Sequence, residues 1–182
     1  MGKNDAPPPV QAFEIKTSKS DHGLKLIRPV GAPDNSPPIM TIIKSRWHKP
    51  NFSLIQGPPP LPEEGNPDPS RVAGWATLAT FGSKADGQVR GNPLNIKMET
   101  WGAGCLVETP TLGKLKWKRN EKTAIGLDLF DGDKRLVAKL RVGEGWDNAQ
   151  KILEIYVPGD DYFTEVVAIS SMIVRELTQS LR

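Results

Sequence analysis

The hydrophobic pattern changes character once along this chain. From Ala12 to Val157 it consists of short runs in which apolar and polar residues alternate. They are Phe13 to Lys16, Leu24 to Arg28, Met40 to Ser45, Phe52 to Ile55, Val72 to Thr80, Leu94 to Glu99, Cys105 to Glu108, Gly113 to Arg119, Thr123 to Phe130, Arg135 to Val142 and Ile152 to Val157. A period of two matches a strand with one buried face, so each run predicts a β-strand. Loops rich in Pro, Gly, Asn and Asp punctuate the early runs at Gly31 to Pro38 and Gly57 to Arg71. Asp131-Gly132, between two alternating runs, predicts a tight hairpin whose glycine takes the positive φ of the turn. Strand after strand with no helical period predicts an all-β meander that closes, or nearly closes, into an antiparallel barrel.

The tail differs. Asp160 and Asp161 offer capping oxygens just after Pro158-Gly159, and the residues up to Leu181 then read as a helix over 161–181. Phe163, Val166, Val167, Ile173, Val174 and Leu177 form one stripe, while Tyr162, Ile169 and Met172 place apolar groups on the other faces. A surface helix keeps a polar face. This one is charged mainly in its last turns, at Arg175, Glu176 and Arg182. The expectation is a mainly β single domain over 11–182, whose barrel encloses its own C-terminal helix, preceded by a Pro-rich tail over 1–10.

Composition fits this picture. The chain has 182 residues, 37% of them hydrophobic, which is one ordinary domain with material for a core. Of 17 prolines, all but Pro93, Pro110 and Pro158 precede position 70, so the front is loop-rich. The net charge of +3 is too small to argue for nucleic acid without a local patch. Cys105, the single cysteine, excludes an internal disulfide and a cysteine-built zinc site and suits a reducing, cytoplasmic compartment. Met1 to Val10 has no apolar run, so no secretory signal is expected, and Ala6 stands where a myristoylation signal carries Ser or Thr. The longest apolar stretch, Tyr162 to Val174, falls short of the ~20 residues of a bilayer span and is interrupted by Glu165.

The order of elements, with Leu115-Lys116-Trp117-Lys118, Leu136-Val137-Ala138-Lys139-Leu140 and the helix from Tyr162 to Leu181, resembles the tubby C-terminal-like superfamily. That superfamily includes tubby domains, phospholipid scramblases and plant LURP-one-related proteins. More closely, the chain resembles a group of small fungal proteins of unknown function assigned to it. The resemblance covers roughly Phe13 to Leu181 and implies a barrel around a hydrophobic helix, with phosphoinositide binding in some branches. The Pro-rich insert at 57–71 has no counterpart, and no lipid-binding residue of tubby domains carries over.

Two binding surfaces stand out. The period-2 rule puts Lys114, Lys116 and Lys118 on one strand face opposite Leu115 and Trp117, and Arg135, Lys139 and Arg141 opposite Leu136, Ala138 and Leu140. In one meander these cations share an outer face able to meet acidic membrane headgroups, although Asp128 falls between them and a solvated wall of cross-strand ion pairs explains the pattern equally. Pro59-Pro60-Leu61-Pro62 matches a polyproline II ligand of WW domains, with a stiff loop as the plain alternative. Glu63 and Glu64 stand where an SH3 ligand is basic. A protein-interaction module using this loop, or an exposed barrel edge, is therefore the second functional reading.

Catalysis finds little support. His22 and His48 have no metal-ligand spacing, Cys105 sits in a β-type run, and Asp131 and Asp133 serve a hairpin. Gly102-Ala103-Gly104 lacks the helix that should follow a phosphate-binding loop. Of the tryptophans at 47, 75, 101, 117 and 146, Trp75 and Trp117 read as barrel core rather than as base-stacking platforms. No cofactor is expected, because the helix fills the interior.

Overall fold

The computed structural model describes residues 7–100, 104–120, 126–143 and 150–179. Twelve antiparallel strands follow one another: β1 (Gln11–Thr17), β2 (Leu24–Pro29), β3 (Met40–Lys44), β4 (Phe52–Gln56), β5 (Val72–Leu78), β6 (Lys84–Val89), β7 (Asn92–Met98), β8 (Cys105–Thr109), β9 (Gly113–Arg119), β10 (Leu127–Phe130), β11 (Leu136–Val142) and β12 (Lys151–Ile155). Each pairs with the next, and β12 returns to β1, so the sheet is a closed barrel. Closure leaves no unpaired strand, and the expectation of an exposed barrel edge falls away.

The helix α1 (Asp161–Gln179) fills the barrel, with every residue from Phe163 to Val174, and Leu177, buried. Its start is set locally: Asp160 Oδ1 accepts the Phe163 amide at 2.9 Å. Gly159 lies so close to the Phe163 ring that a Cβ there would meet it at 2.5 Å. Ile15, Ile27, Ile42, Leu54, Ile96, Leu129, Leu140 and Leu153 point inward and pack on the helix core. Each contributes about 1.5–3 kcal/mol of burial free energy. The helix comes nearest to the wall of β4 to β7. There the inward positions Gly74, Ala76 and Ala85 are small and make room for it. Trp117 is wholly buried and donates its Nε1–H to Ser170 Oγ at 3.0 Å, which ties β9 to the helix.

Three sequence expectations change. β6, Lys-Ala-Asp-Gly-Gln-Val, is absent from the predicted runs because its inward residues, Ala85, Gly87 and Val89, are too small to produce a hydrophobic alternation. Its turn into β7 is Arg90-Gly91, with φ of 49° and 76°, a two-residue hairpin turn of the primed type. In the 131–135 hairpin the positive φ falls on Lys134 (63°) and not on Gly132, because Asp131 Oδ1 accepts the amides of Asp133 and Arg135 and fixes a longer turn. Trp75 faces outward. Its inward neighbours are Gly74 and Ala76, and the helix behind them leaves no space for an indole.

Residues 1–6 of the expected tail, Trp101 with Gly102-Ala103, the first part of the strand expected from Thr123, Trp146 and the helix end from 180 lie outside the described residues.

Candidate functional site

Antiparallel order sorts the connections between the two barrel ends. The hairpins after β1, β3, β5 and β7 lie at the end where α1 finishes, marked by the ion pair of Lys44 with Glu176 at 2.5 Å. Loops 30–39, 57–71 and 131–135 lie at the other end, with the helix N-terminus. Charge follows this division. Lys25, Lys44, Arg119, Lys151 and Arg175 surround the barrel mouth at the helix C-terminus, where cations complement the helix dipole. Lys19, Arg46, Lys49, Lys84 and Lys97 lie on the outside of the same end, against the described acids Asp21, Glu99 and Glu176. Among the described residues cations are in excess at this end. The opposite end carries Glu63, Glu64, Asp68, Asp131, Asp133, Asp160 and Asp161 against Arg71, Lys134 and Arg135, while Asp34 reaches back along the wall to pair with Lys16 at 2.8 Å.

Two hairpins give the basic end its tips. In the β3–β4 loop the Ser45 amide donates to Asn51 O at 2.8 Å and the His48 amide to Ser45 Oγ at 3.0 Å, which pushes Trp47 out to 88% exposure. In the β5–β6 loop the Gly82 amide donates to Ala79 O at 3.0 Å with Gly82 at φ 65°, and Phe81 stands 94% exposed. Asn51 Oδ1 accepts the Leu78 amide at 2.8 Å and so fixes the two hairpins relative to each other. Arg46, Lys49, Lys84 and Lys97 around these tips are exposed and make no hydrogen bond or ion pair with any described residue. Lys84 and Lys97 stand directly opposite each other across β6 and β7. Like charges in that position destabilise a sheet, and the next outward residue of β6 is the exposed Asp86.

Five of the six cations expected on the strand wall share the outside of β9 and β11, with acids interleaved, while Arg135 lies in the hairpin that precedes β11. Register sets Lys114 opposite Glu108, Lys118 opposite Asp128, and Lys139 between Asp128 and Glu154. Lys116 pairs with Glu99, Arg141 with Glu154 at 2.6 Å, and Arg135 with Asp131 at 3.0 Å. Lys118 and Lys139 lie over the rings of Phe130 and Tyr156. The backbone amide of Arg135, donating to Asp131, holds the Asp131 carboxyl below its usual range.

The proline motif is partly folded away. Pro59 and Pro60 are half-buried, Leu61 is extended and 61% exposed, and Pro62 opens a 3-10 turn over Pro62–Glu64. The Leu61 amide donates to Glu64 Oε2 at 2.9 Å, so polyproline conformation stops before Pro62. The loop's neck is laced by Arg71, which donates to the carbonyls of Gln56 and Pro58. Residues 66–69 fold back along the barrel wall. With Pro50, Val72, Trp75 and Arg90 they frame a groove of about 820 Å³.

Among the described residues no group of three His, Cys, Asp or Glu side chains can hold a metal ion, and no helix is long and apolar enough to cross a membrane. Burial, then the nearby Glu99, pushes the Cys105 thiol up to about 11, which suits a core residue. His22 and His48 sit on separate hairpins.

The sequence signals that went unused were Arg46-Trp47-His48-Lys49 and Phe81, each with an aromatic inside a turn. They escaped a reading that looked for charge on strand faces.

No family model and no curated protein matches the chain. Among solved structures it is similar to a protein of Arabidopsis thaliana at 15% identity and a TM-score of 0.37, over 96% of this chain and 94% of that one.

Proposed function

We propose that this protein is a non-enzymatic, peripheral binding module of tubby-like type that docks on acidic phospholipid headgroups, phosphoinositides among them, with the helix-C-terminal end of its barrel. One observation carries the reading: two almost fully exposed aromatic tips, held by neighbouring hairpins, lie among four exposed cations that have no partner among the described residues. Tryptophan and phenylalanine at the tips suit the boundary between headgroups and acyl chains, and the cations suit the anionic layer above it. Each cation is worth about 1 kcal/mol near such a surface, so four supply about 4 kcal/mol, enough for weak and reversible association. The strand wall first expected to do this contributes less, because acids interleave with its cations. A cytoplasmic setting belongs to the same proposal.

Co-sedimentation with vesicles of phosphatidylcholine, with and without about 30% phosphatidylserine or a few per cent phosphoinositide, tests it. Binding is expected only to the anionic vesicles and is lost as salt shortens the Debye length from about 10 Å at 0.1 M to about 3 Å at 1 M. Lys84→Glu with Lys97→Glu abolishes it, and Lys116→Glu with Lys139→Glu leaves most of it. No anionic preference, or the reverse ranking of the two variants, overturns the proposal.

A further inference from the structure

The two aromatic tips stand on neighbouring hairpins whose ladders do not join them at the tips. On one side the β3–β4 pairing runs to Lys44 and Phe52, and the Ser45 amide prolongs it by donating to Asn51 O at 2.8 Å. On the other side the β5–β6 pairing runs to Leu78 and Ala85, and the Ala79 amide prolongs it by donating to Lys84 O at 2.9 Å. Between them the β4–β5 pairing stops short, at Phe52 and Ala76. Past that point the hairpins part like separate fingers, one carrying Trp47 and the other Phe81. Among the described residues a single hydrogen bond crosses the split, from the Leu78 amide to Asn51 Oδ1 at 2.8 Å. The same carboxamide donates its Nδ2–H to Ser45 O at 3.2 Å, so Asn51 ties the root of the Trp47 loop to the root of the Phe81 loop. The task needs an acceptor and a donor on one short side chain; aspartate lacks the donor and alanine lacks both.

We propose that Asn51 is a positioning residue for membrane docking: by bridging the split it holds Trp47 and Phe81 at a fixed spacing, so that the two tips enter the acidic lipid surface as one unit. The proposal rests on the assignment of the basic end as membrane-facing. Independent fingers would each lose their own freedom on insertion, and each would contribute separately. A linked pair is preorganised, so entry of one tip carries the other to the surface with no further ordering. Arg46 and Lys49 travel with the first tip and Lys84 with the second, so the link also sets the spacing of these cations over the headgroups.

Titration of the full chain with vesicles of phosphatidylcholine and about 30% phosphatidylserine tests this through a double-mutant cycle. In the parent, Trp47→Ala and Phe81→Ala are each expected to weaken binding about tenfold, and the double variant little further. On the Asn51→Ala background, itself about fivefold weaker, the two losses should be smaller and should multiply. Faster hydrogen exchange at the Leu78 amide, with the core amides of β4 and β5 still protected, shows that this variant has lost the link and kept the barrel. Losses that already multiply in the parent, or a cycle that Asn51→Ala leaves unchanged, overturn the proposal while the membrane assignment stands. A parent that does not bind the anionic vesicles overturns both.

Discussion

Glu165 is one of the few charged residues that folding buries. It lies inside the barrel on α1, with its side chain only 4% exposed, and Arg90 reaches in from the β6–β7 turn to bind both carboxylate oxygens at 2.8 and 2.6 Å. The pair is bidentate, and the Glu165 hydrogen bond is the main reason the Arg90 guanidinium is held above its ordinary value. Removing one partner strands the other charge in the core, whereas exposure of Arg90 to solvent lowers the loss. Arg90→Ala is therefore expected to cost about 2–3 kcal/mol in denaturant unfolding, and Arg90→Ala with Glu165→Leu to recover most of it. A single variant as stable as the parent would show that the pair is dispensable. Sequence reading saw Glu165 only as an interruption of an apolar run, because its partner lies 75 positions away on a turn of unusual φ.

At the scale of elements, the alternation of large inward residues made most strands legible, and the all-round apolar helix disclosed that the barrel is filled. β6 was illegible for a physical reason. Where a strand backs directly onto the helix its inward side chains shrink, and the signal shrinks with them. Gly87 is small for a second reason, the approach of β5: a Cβ there would stand 1.9 Å from the Trp75 carbonyl oxygen. Backbone on both sides cannot move apart without breaking the β5–β6 ladder. Gly87→Ala is expected to lower stability by about 3 kcal/mol or more, measured as a shift in the denaturant midpoint. An unchanged midpoint would mean that the two strands are less closely joined than described. The outward turn of Trp75 has the same origin, since a strand whose inner positions must be glycine and alanine has only its outer face for an indole.

The whole molecule combines a neutralised wall with two ends of opposite sign. Strand-face periodicity located the cations of β9 and β11 correctly. It could not show that Glu108, Asp128 and Glu154 fall into register beside them, because pairing across strands depends on loop lengths and on the bulge at Leu129/Phe130. Nor could it show that short loops far apart in sequence, carrying Trp47 and Phe81, gather at one end. That gathering follows from barrel closure, and it turns a net charge of only +3 into a directional field. The proline-rich front likewise supplies early barrel strands, with its longest loop folded against the outer wall.

The central claim is that the Trp47 end meets the acidic lipid surface. Tryptophan emission during titration with anionic vesicles carrying brominated acyl chains tests it most directly, comparing the parent chain with Trp47→Phe. Insertion of Trp47 predicts a blue shift and quenching in the parent and loss of most of both in the variant, at low salt where both bind. Quenching that persists unchanged in Trp47→Phe, or vesicle binding with no change in emission, would contradict the assignment of this end as the membrane-facing one.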